Sequence, residues 1–355
     1  MISSSGRNQQ RFDFTQPNPK LPHSGFSGAE ADGTWVDGDY AEVTLPLRHV
    51  AGHFLLVQVE LLAFIIADRL PEQIVKVIVN GSEIDSWSLT QDMFRIRALV
   101  FERAALPSAD SLTLGFEVPT CTSPVELGLN ADTRRLGLKI RAIGIEGLED
   151  APGEDWPVGQ AGRRMVGSEA CKTWDERLLS GFWSRFITGP AVLDIGFRGY
   201  GGMVQPIVDG AIGIDLDYPG YDGRTLPFPD NSQDAVFSSH CLEHIPAYIN
   251  AIQDWHRVTR IGGHIIVAVP SVDLYERRRR PPSVFNNDHQ RFYTPSSLLA
   301  EFEAALPPNS YRVRLLEEND RDYNYAIGLD DHPHGCFEIL LVIQKIQTPS
   351  WRLID

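Results

Sequence analysis

The sequence predicts two domains of different class: an all-β sandwich over residues 34–148 and, after a linker at 149–160, an α/β domain over residues 161–355 built on a mostly parallel sheet. Three observations predict it. The chain has 355 residues, more than one ordinary hydrophobic core accommodates and a fitting length for two. Its first half carries short stretches of alternating apolar and polar residues separated by Pro, Gly, Asp and Ser, with little helical periodicity. From Ala191 onward the apolar stretches become continuous and are interleaved with helical patterning, as in strands buried on both faces of a parallel sheet.

Residues 1–33 are polar and rich in Gly, Pro and Ser, and read as a flexible tail. In the sandwich, Val75, Val77 and Val79 alternate with Lys76 and Ile78. Asn80-Gly81 follows, a pair that takes the positive φ angles of a tight hairpin. Phe94–Ala98, Leu112–Phe116 and Leu138–Ala142 alternate in the same way. The acidic, Pro- and Gly-bearing run 149–160 has a linker composition. Gly167–Ile187 reads as an amphipathic helix through Trp174, Leu178, Leu179, Phe182 and Phe186. Ala191–Ile195, Ala211–Ile214, Asp234–Ser239 and Gly263–Pro270 read as strands. Before the last of them lies a long helix with Leu242, Ile245, Ile249, Ile252, Trp255 and Val258 on one face. Thr294-Pro295 caps a further helix, and Tyr311–Leu316 and Phe337–Gln344 close the chain as strands.

Composition excludes several classes. Hydrophobic residues at 43% and charged residues at 22% describe a globular chain rather than a disordered one. A formal net charge of -15 repels phosphate backbones, so no nucleic-acid partner is expected. The four cysteines, Cys121, Cys171, Cys241 and Cys336, show no C-x-x-C spacing, which argues against a disulfide framework or zinc ribbon and for the cytoplasm. Phe54–Ala67 is the most apolar run, but Gln58 and Glu60 interrupt it and it falls short of the roughly 20 apolar residues that span a bilayer. Met1–Pro22 lacks an apolar stretch behind a basic start, so neither a secretory leader nor an integral membrane segment is expected.

The chemistry-bearing residues gather at predicted strand ends, where open parallel sheets bind ligands. The first apolar run ends in Asp194-Ile195-Gly196, followed by Gly199, Gly201 and Gly202, a turn in which the backbone approaches a ligand and offers N–H groups. Asp215 ends the second run, at a spacing from the glycine turn that suits a carboxylate accepting from a ribose diol. Asp222-Gly223, Leu226-Pro227-Phe228-Pro229-Asp230, Asp234–Ser239, His240 and Leu242-Glu243-His244-Ile245 follow in order, and then Arg257-Val258 and Gly262-Gly263. This string resembles the class I S-adenosylmethionine-dependent methyltransferases, in the branch marked by LPFPD and LEHI segments, over roughly residues 165–346.

The resemblance implies a Rossmann-like methyltransferase domain with a mostly parallel seven-stranded sheet and S-adenosylmethionine as cofactor. It implies that Asp194, Gly196, Gly199 and Gly201 form the loop against the methionine part, that Asp215 holds the ribose, and that Asp222 beside Gly223 meets the adenine amino group. Ser239 and His240 then lie along the cofactor near the sulfonium, with His244 supporting that wall. The sequence departs from the family twice. The glycines are shifted by one position, with Arg198 and Tyr200 where glycines are usual, and only seven positions separate Asp215 from Asp222, too few for the helix and strand the family places there.

Methyl transfer from a sulfonium is an in-line displacement that aligns nucleophile, methyl and sulfur and removes a proton from a hydroxyl acceptor. The acceptor side is expected from segments after the fourth and fifth strands, with Tyr275, Asn287, Arg291 and Tyr293 as substrate-binding candidates. His289 is the first candidate for general base, with Asp288 orienting it and His240 as a further catalytic candidate. The competing reading is that Asp288-His289 only fastens a loop to the sheet. Arg277–Arg280 read as a solvated run, although they follow the fifth strand, where an anionic acceptor would meet guanidinium groups. His332-Pro333-His334 is a poor chelate, so no metal is expected. Trp35, Trp87 and Tyr40 either stack on sugar rings or belong to the sandwich core.

Gln73–Gly81 and Asp132–Leu138 resemble β-sandwich modules attached to bacterial polysaccharide-biosynthesis enzymes. Together the two resemblances imply O-methylation of a small-molecule acceptor, a sugar or a surface-glycan intermediate. Two other readings stay open: a glycan-binding or scaffolding protein with a degenerate methyltransferase domain, and a methyltransferase of a small amine or carboxylate. The oligomeric state is not legible.

Overall fold

The structure is a computed structural model that describes residues 8–17, 21, 23–151 and 158–351. The chain divides into two compact units, Met1–Arg163 and Arg164–Asp355. Most of the expected linker, residues 152–157, and the first seven residues of the expected tail lie outside the described residues.

The first unit contains β1 (Gln9–Asp13), β2 (His23–Ser24), β3 (Thr34–Asp37), β4 (Tyr40–Pro46), β5 (Phe54–Ala63), β6 (Gln73–Val79), β7 (Ser82–Leu89), β8 (Arg95–Glu102), β9 (Ser111–Glu117) and β10 (Leu136–Leu148). They form two antiparallel sheets, β1-β10-β5-β8 with β3 also on β10, and β2-β4-β9-β6-β7. Val57, Val59, Ile143 and Ile145 from one sheet and Val43, Val77, Leu114 and Phe116 from the other share one apolar core. Asn80 (φ 47°) and Gly81 (φ 86°) make the β6–β7 turn in the left-handed region, as Asn-Gly predicts. The flexible-tail expectation for residues 1–33 is corrected. Gln9–Asp13 pairs with Ala142–Glu146, and His23–Ser24 pairs with Glu42–Val43. Edge strands carry polar residues, so their sequence does not announce them. Trp35 and Trp87 are buried, while Tyr40 is exposed and donates from its hydroxyl to Glu42 at 2.9 Å. Arg134 pairs with Asp132 at 2.6 Å and Glu30 at 2.9 Å, which ties the segment before β10 to the loop before β3.

The second unit contains β11 (Val192–Ile195), β12 (Ile212–Ile214), β13 (Gln233–Ser239), β14 (Thr259–Pro270), β15 (Tyr311–Asn319) and β16 (Glu338–Lys345), with α1 (Ser168–Leu179), α2 (Phe182–Phe186), α3 (Tyr248–Val258) and α4 (Pro295–Ala305). The sheet order is β12-β11-β13-β14-β16-β15, parallel from β12 to β14 and antiparallel beyond. Six strands are found among the described residues where seven were expected. The place outside β12 has no strand because a turn-rich segment, Asp217-Tyr218-Pro219-Gly220-Tyr221, follows Asp215. The expected single helix 167–187 is two helices, because Gly181 takes φ 73° at the start of α2. The expected long helix from Leu242 begins instead as a 3₁₀ turn, Leu242–His244, and α3 starts only after Pro246. Thr294 caps α4, its hydroxyl accepting from Ser297 N at 3.1 Å with Pro295 at the first helical position.

Ile252 and Trp255 of α3 and Leu298 and Phe302 of α4 pack in one core with Val236, Ile265, Val267 and Ile343 of the sheet. Trp255 is 1% exposed. Trp255→Ala is expected to destabilise this unit by about 3–5 kcal/mol. Urea denaturation followed by circular dichroism measures it, and a loss below about 1 kcal/mol would show that this helix does not hold the sheet.

Candidate active site

A cleft of about 730 Å³ opens at the carboxyl ends of β11, β12 and β13. That volume lies within the range of small-molecule sites. One side is lined by Asp194, Gly196, Asp215, Leu216, Tyr221, Asp222 and Gly223, and the floor by Ser239, His240 and Cys241. The far wall is His244, Asn286, Asp288 and Gln290.

The turn after β11 holds its shape through two residues. Gly196 has φ 84°, and a Cβ there would lie 2.7 Å from Cys241 Cβ and Sγ, so only glycine fits. Asp194 accepts from the Ile207 backbone N–H at 2.8 Å, which folds the loop back over the strand end. Burial pushes the Asp194 carboxyl up to about 7, against the opposing pull of the Ile207 N–H and the Arg164 charge. Gly199 and Gly201, predicted beside them, lie outside the cleft lining.

Asp215 accepts from Leu216 N at 2.7 Å and, through its other oxygen, from the exposed Arg198 at 3.0 Å. Asp222 accepts from Arg224 N at 2.9 Å and Thr225 N at 2.7 Å, and these backbone donors hold its carboxyl below the usual range. Both carboxylates line one side of the cleft, which the short connection between them permits.

His240 stands at the end of β13 with φ 48°, in the left-handed region that non-glycine residues seldom adopt. Its Nδ1 lies 4.0 Å from Glu243 Oε1 and its Nε2 lies 3.8 Å from Glu338 Oε2. Burial works against its charged form, but these carboxylates raise its affinity for a proton above the ordinary value. Glu338 is also buried; the Arg177 charge and His240 outweigh that burial and bring its carboxyl down to about 2.

The acceptor-side expectations divide. His244 and Asp288 line the cleft. His289 does not: it is buried, and its Nδ1 is hydrogen-bonded to Glu276 Oε1 rather than to Asp288. The expected Asp288–His289 pair is thereby corrected. Asn286–His289 is a turn, closed by His289 N on the Asn286 carbonyl at 3.2 Å, and it leaves Asp288 exposed with His289 inside. Tyr275 and Tyr293 are buried outside the lining, Tyr293 donating to Glu301 at 2.8 Å. Arg291 clamps the turn after β13 by donating to the carbonyls of Leu242 and of Ile245, the latter at 2.8 Å. Asn287 is exposed and also outside the lining. In the arginine run, Arg277 donates to the carbonyls of Gly328, at 2.6 Å, and Asp331, and Arg278–Arg280 are exposed. The rings of His332 and His334 are 6.3 Å apart.

Sequence reasoning passed over Glu243, Glu276 and Glu338, the three buried carboxylates that face these histidines. Glu243 stands inside the LEHI segment and was read only as part of the string. Glu276 carries no local signal, and for Glu338 its place among apolar neighbours in Phe337-Glu338-Ile339 is the clue that was available.

Comparison with known proteins accords with this geometry. Residues 209–267, from the turn before β12 to the middle of β14, match the family described as "Methyltransferase domain". Asp215, Asp222, His240 and His244 lie inside the match. Among curated proteins none matches the chain. Solved structures similar to it include an S-adenosylmethionine-dependent methyltransferase from Aquifex aeolicus, 14% identical over 51% of this chain and 94% of that one, with a TM-score of 0.34. Another, from Archaeoglobus fulgidus, is 14% identical over 49% and 94% with a TM-score of 0.32. The YcgJ protein from Bacillus subtilis is 16% identical over 44% and 91% with a TM-score of 0.30. Scores this low carry no weight for function. The family match supports the expectation of a methyltransferase domain in the second unit, for which S-adenosylmethionine is the expected cofactor.

Proposed function

We propose that the second unit transfers the methyl group of S-adenosylmethionine to a hydroxyl of a neutral polyol, a sugar or glycan intermediate. One observation carries the reading: a single cleft has carboxylates suited to a nucleoside and an ammonium on one side and an amide- and carboxylate-bearing wall on the other. The residues fit the cofactor. Gly196 leaves a cradle that a Cβ would fill, Asp215 is placed for a ribose diol, and Leu216 and Tyr221 offer apolar cover for a purine. When bound, the cofactor supplies an electrophilic methyl on a sulfonium.

The chain's own part is binding, orientation and proton handling. Asp194 faces the methionine part, where its carboxylate form attracts an ammonium. Ser239 and His240 line the cleft, and His240 stands between Glu243 and Glu338, whose carboxylates favour its protonated form. Asn286, Asp288 and Gln290 offer donors and acceptors to a polyol. Asp288 is the wall carboxylate positioned to receive the acceptor proton. The resemblance of the first unit to modules of polysaccharide-biosynthesis enzymes supports the choice of a sugar.

Calorimetric titration with S-adenosylmethionine tests the cofactor half, and transfer of labelled methyl to a panel of sugars, amines and carboxylates tests the acceptor half. Asp215→Ala is expected to weaken cofactor binding about tenfold or more, since it removes a charged acceptor. Asn286→Ala with Gln290→Ala is expected to leave that affinity in place and lower kcat/KM for the sugar about tenfold or more. No binding at millimolar ligand, or methylation of amines alone, would refute the reading. A pH profile adds a separate check. Asp194 is raised to about 7, so its carboxylate fraction grows as pH rises through that value. Cofactor affinity should therefore climb with pH through about 7, with proton release on binding, and Asp194→Asn should flatten the rise.

A further inference from the structure

Glu243 is 0% exposed, and among the described residues neither of its carboxylate oxygens has a hydrogen-bond partner. An ionised carboxylate in that position costs several kcal/mol unless opposite charge compensates it. Around it stand the Nε2 atoms of His244 at 3.9 Å and of His289 at 4.0 Å. The three ligand-type atoms lie within 4.8 Å of one another. The two rings meet edge to face, with centroids 4.8 Å apart and an interplanar angle of 76°.

The other nitrogen of each ring is already committed. His289 Nδ1 meets Glu276 Oε1, and His244 Nδ1 lies 3.3 Å from the Asp288 carbonyl oxygen. A carbonyl and an ionised carboxylate accept only, so opposite these each Nδ1 carries a proton and donates it. In a neutral ring Nε2 then presents a lone pair. Two lone pairs and a carboxylate thus converge on one buried point, and acceptors facing one another repel. Protonated rings would instead close on Glu243 to the charge-assisted hydrogen-bond distance of about 2.7–2.9 Å. The separations of 3.9 and 4.0 Å are too long for that.

The arrangement is held from behind. Gln290 N donates to the Glu243 carbonyl at 2.9 Å, and Arg291 clamps the carbonyls on either side of the turn. Glu276 reaches His289 because the chain makes a single π-helical turn at Val272–Glu276, closed by Arg277 N on the Val272 carbonyl at 2.7 Å. Such turns recur at functional sites.

We propose that Glu243, His244 and His289 form a binding site for a divalent first-row transition-metal ion, with Glu276 and the Asp288 carbonyl orienting the two imidazoles. Two imidazole nitrogens and one carboxylate oxygen are the donor set of zinc, manganese and iron(II) sites that keep open positions. A carboxylate or carbonyl behind each ligating histidine is the usual outer support. Ligands bound at about 2.0 Å to one ion stand roughly 3.3 Å apart, so the separations of 3.9 and 4.0 Å from Glu243 shorten by about 0.6–0.7 Å on binding and the widest, within 4.8 Å, by up to about 1.5 Å. His240 Nδ1 also lies 4.0 Å from Glu243 Oε1, and its Nε2 faces Glu338 Oε2 at 3.8 Å. His244 also lines the cleft beside Asn286, Asp288 and Gln290, so an open position of the ion is available to an acceptor oxygen. There it would acidify the hydroxyl whose proton passes to Asp288, a role that rests on the methyl-transfer reading; the ion site itself does not.

Metal binding is tested on the full chain, freed of metal with EDTA, by calorimetric titration with Zn²⁺ and by the visible absorption of added Co²⁺. One saturable site with Co²⁺ ligand-field bands is expected. His244→Ala, checked for native circular dichroism, should abolish the bands and weaken Zn²⁺ binding at least about a hundredfold, and Glu276→Gln should weaken it about tenfold or more. The double variant His332→Ala/His334→Ala should bind Zn²⁺ as the parent does. Absence of saturable binding overturns the proposal, as does binding that His244→Ala and Glu276→Gln leave unchanged. Metal binding without any affinity for S-adenosylmethionine would overturn the methyl-transfer reading and leave the ion site standing; the reverse would do the opposite.

Discussion

Burying charge at the carboxyl ends of the parallel strands is the constraint on which the second unit depends. Four acidic side chains gather there: Asp194, Glu243, Glu276 and Glu338, all under one-tenth exposed. Three are compensated by partners from different segments, whereas Glu243 has no hydrogen-bond partner among the described residues. Asp194 takes the Ile207 N–H, Glu276 takes His289, and Glu338 takes Arg177 of α1. The Arg177–Glu338 contact ties α1 to the start of β16, and His240 joins both to the end of β13. His240 accepts a left-handed backbone, a cost of roughly 1–3 kcal/mol, because carboxylates on both sides hold its ring.

The other shaping constraint is the sheet edge. Beyond β12 the chain runs as a loop where a seventh strand was expected, and Leu216 in the cleft lining is left 71% exposed. Tyr218 stacks on Phe228 with ring centroids 6.0 Å apart, and both pack against the core of the unit. Aromatic side chains thus cover apolar surface that a strand and helix would otherwise bury. The same economy of chain brings Asp215 and Asp222 into the lining of one cleft.

What the sequence revealed follows from what periodicity encodes. Continuous apolar runs located β11 to β14 to within a few residues, because strands buried on both faces have no polar alternation to confuse them. Polar edge strands escaped, as β1 and β2 show. Helix breaks at Gly181 and Pro246 were under-read because the apolar spacing continues across them. Reading along the chain grouped Asp194, Gly196, Asp215 and Asp222, and all four line one cleft, since loops that follow successive strands bring near neighbours in sequence together. For His289 it failed, because it paired the ring with Asp288. Its partner is thirteen residues upstream rather than adjacent, and a pairing made across two loops leaves no spacing to find.

The charge of the cleft narrows what can enter it. Its lining carries Glu169, Asp194, Asp215, Asp222 and Asp288 against Arg198 and Arg224, within a chain of net charge -15. Low-dielectric walls of one sign focus the field and concentrate cations. A sulfonium, an ammonium and a divalent ion are all drawn in, whereas a phosphorylated acceptor would have to bring its charge past Asp288. The arginine run does not relieve this: Arg277 is occupied with two carbonyls, and none of the four arginines lines the cleft. A neutral polyol meets no such barrier. Asn286, Gln290 and Asp288 can each pair with a hydroxyl, and a hydroxyl is also the group whose acidity a buried cation beside His244 would raise.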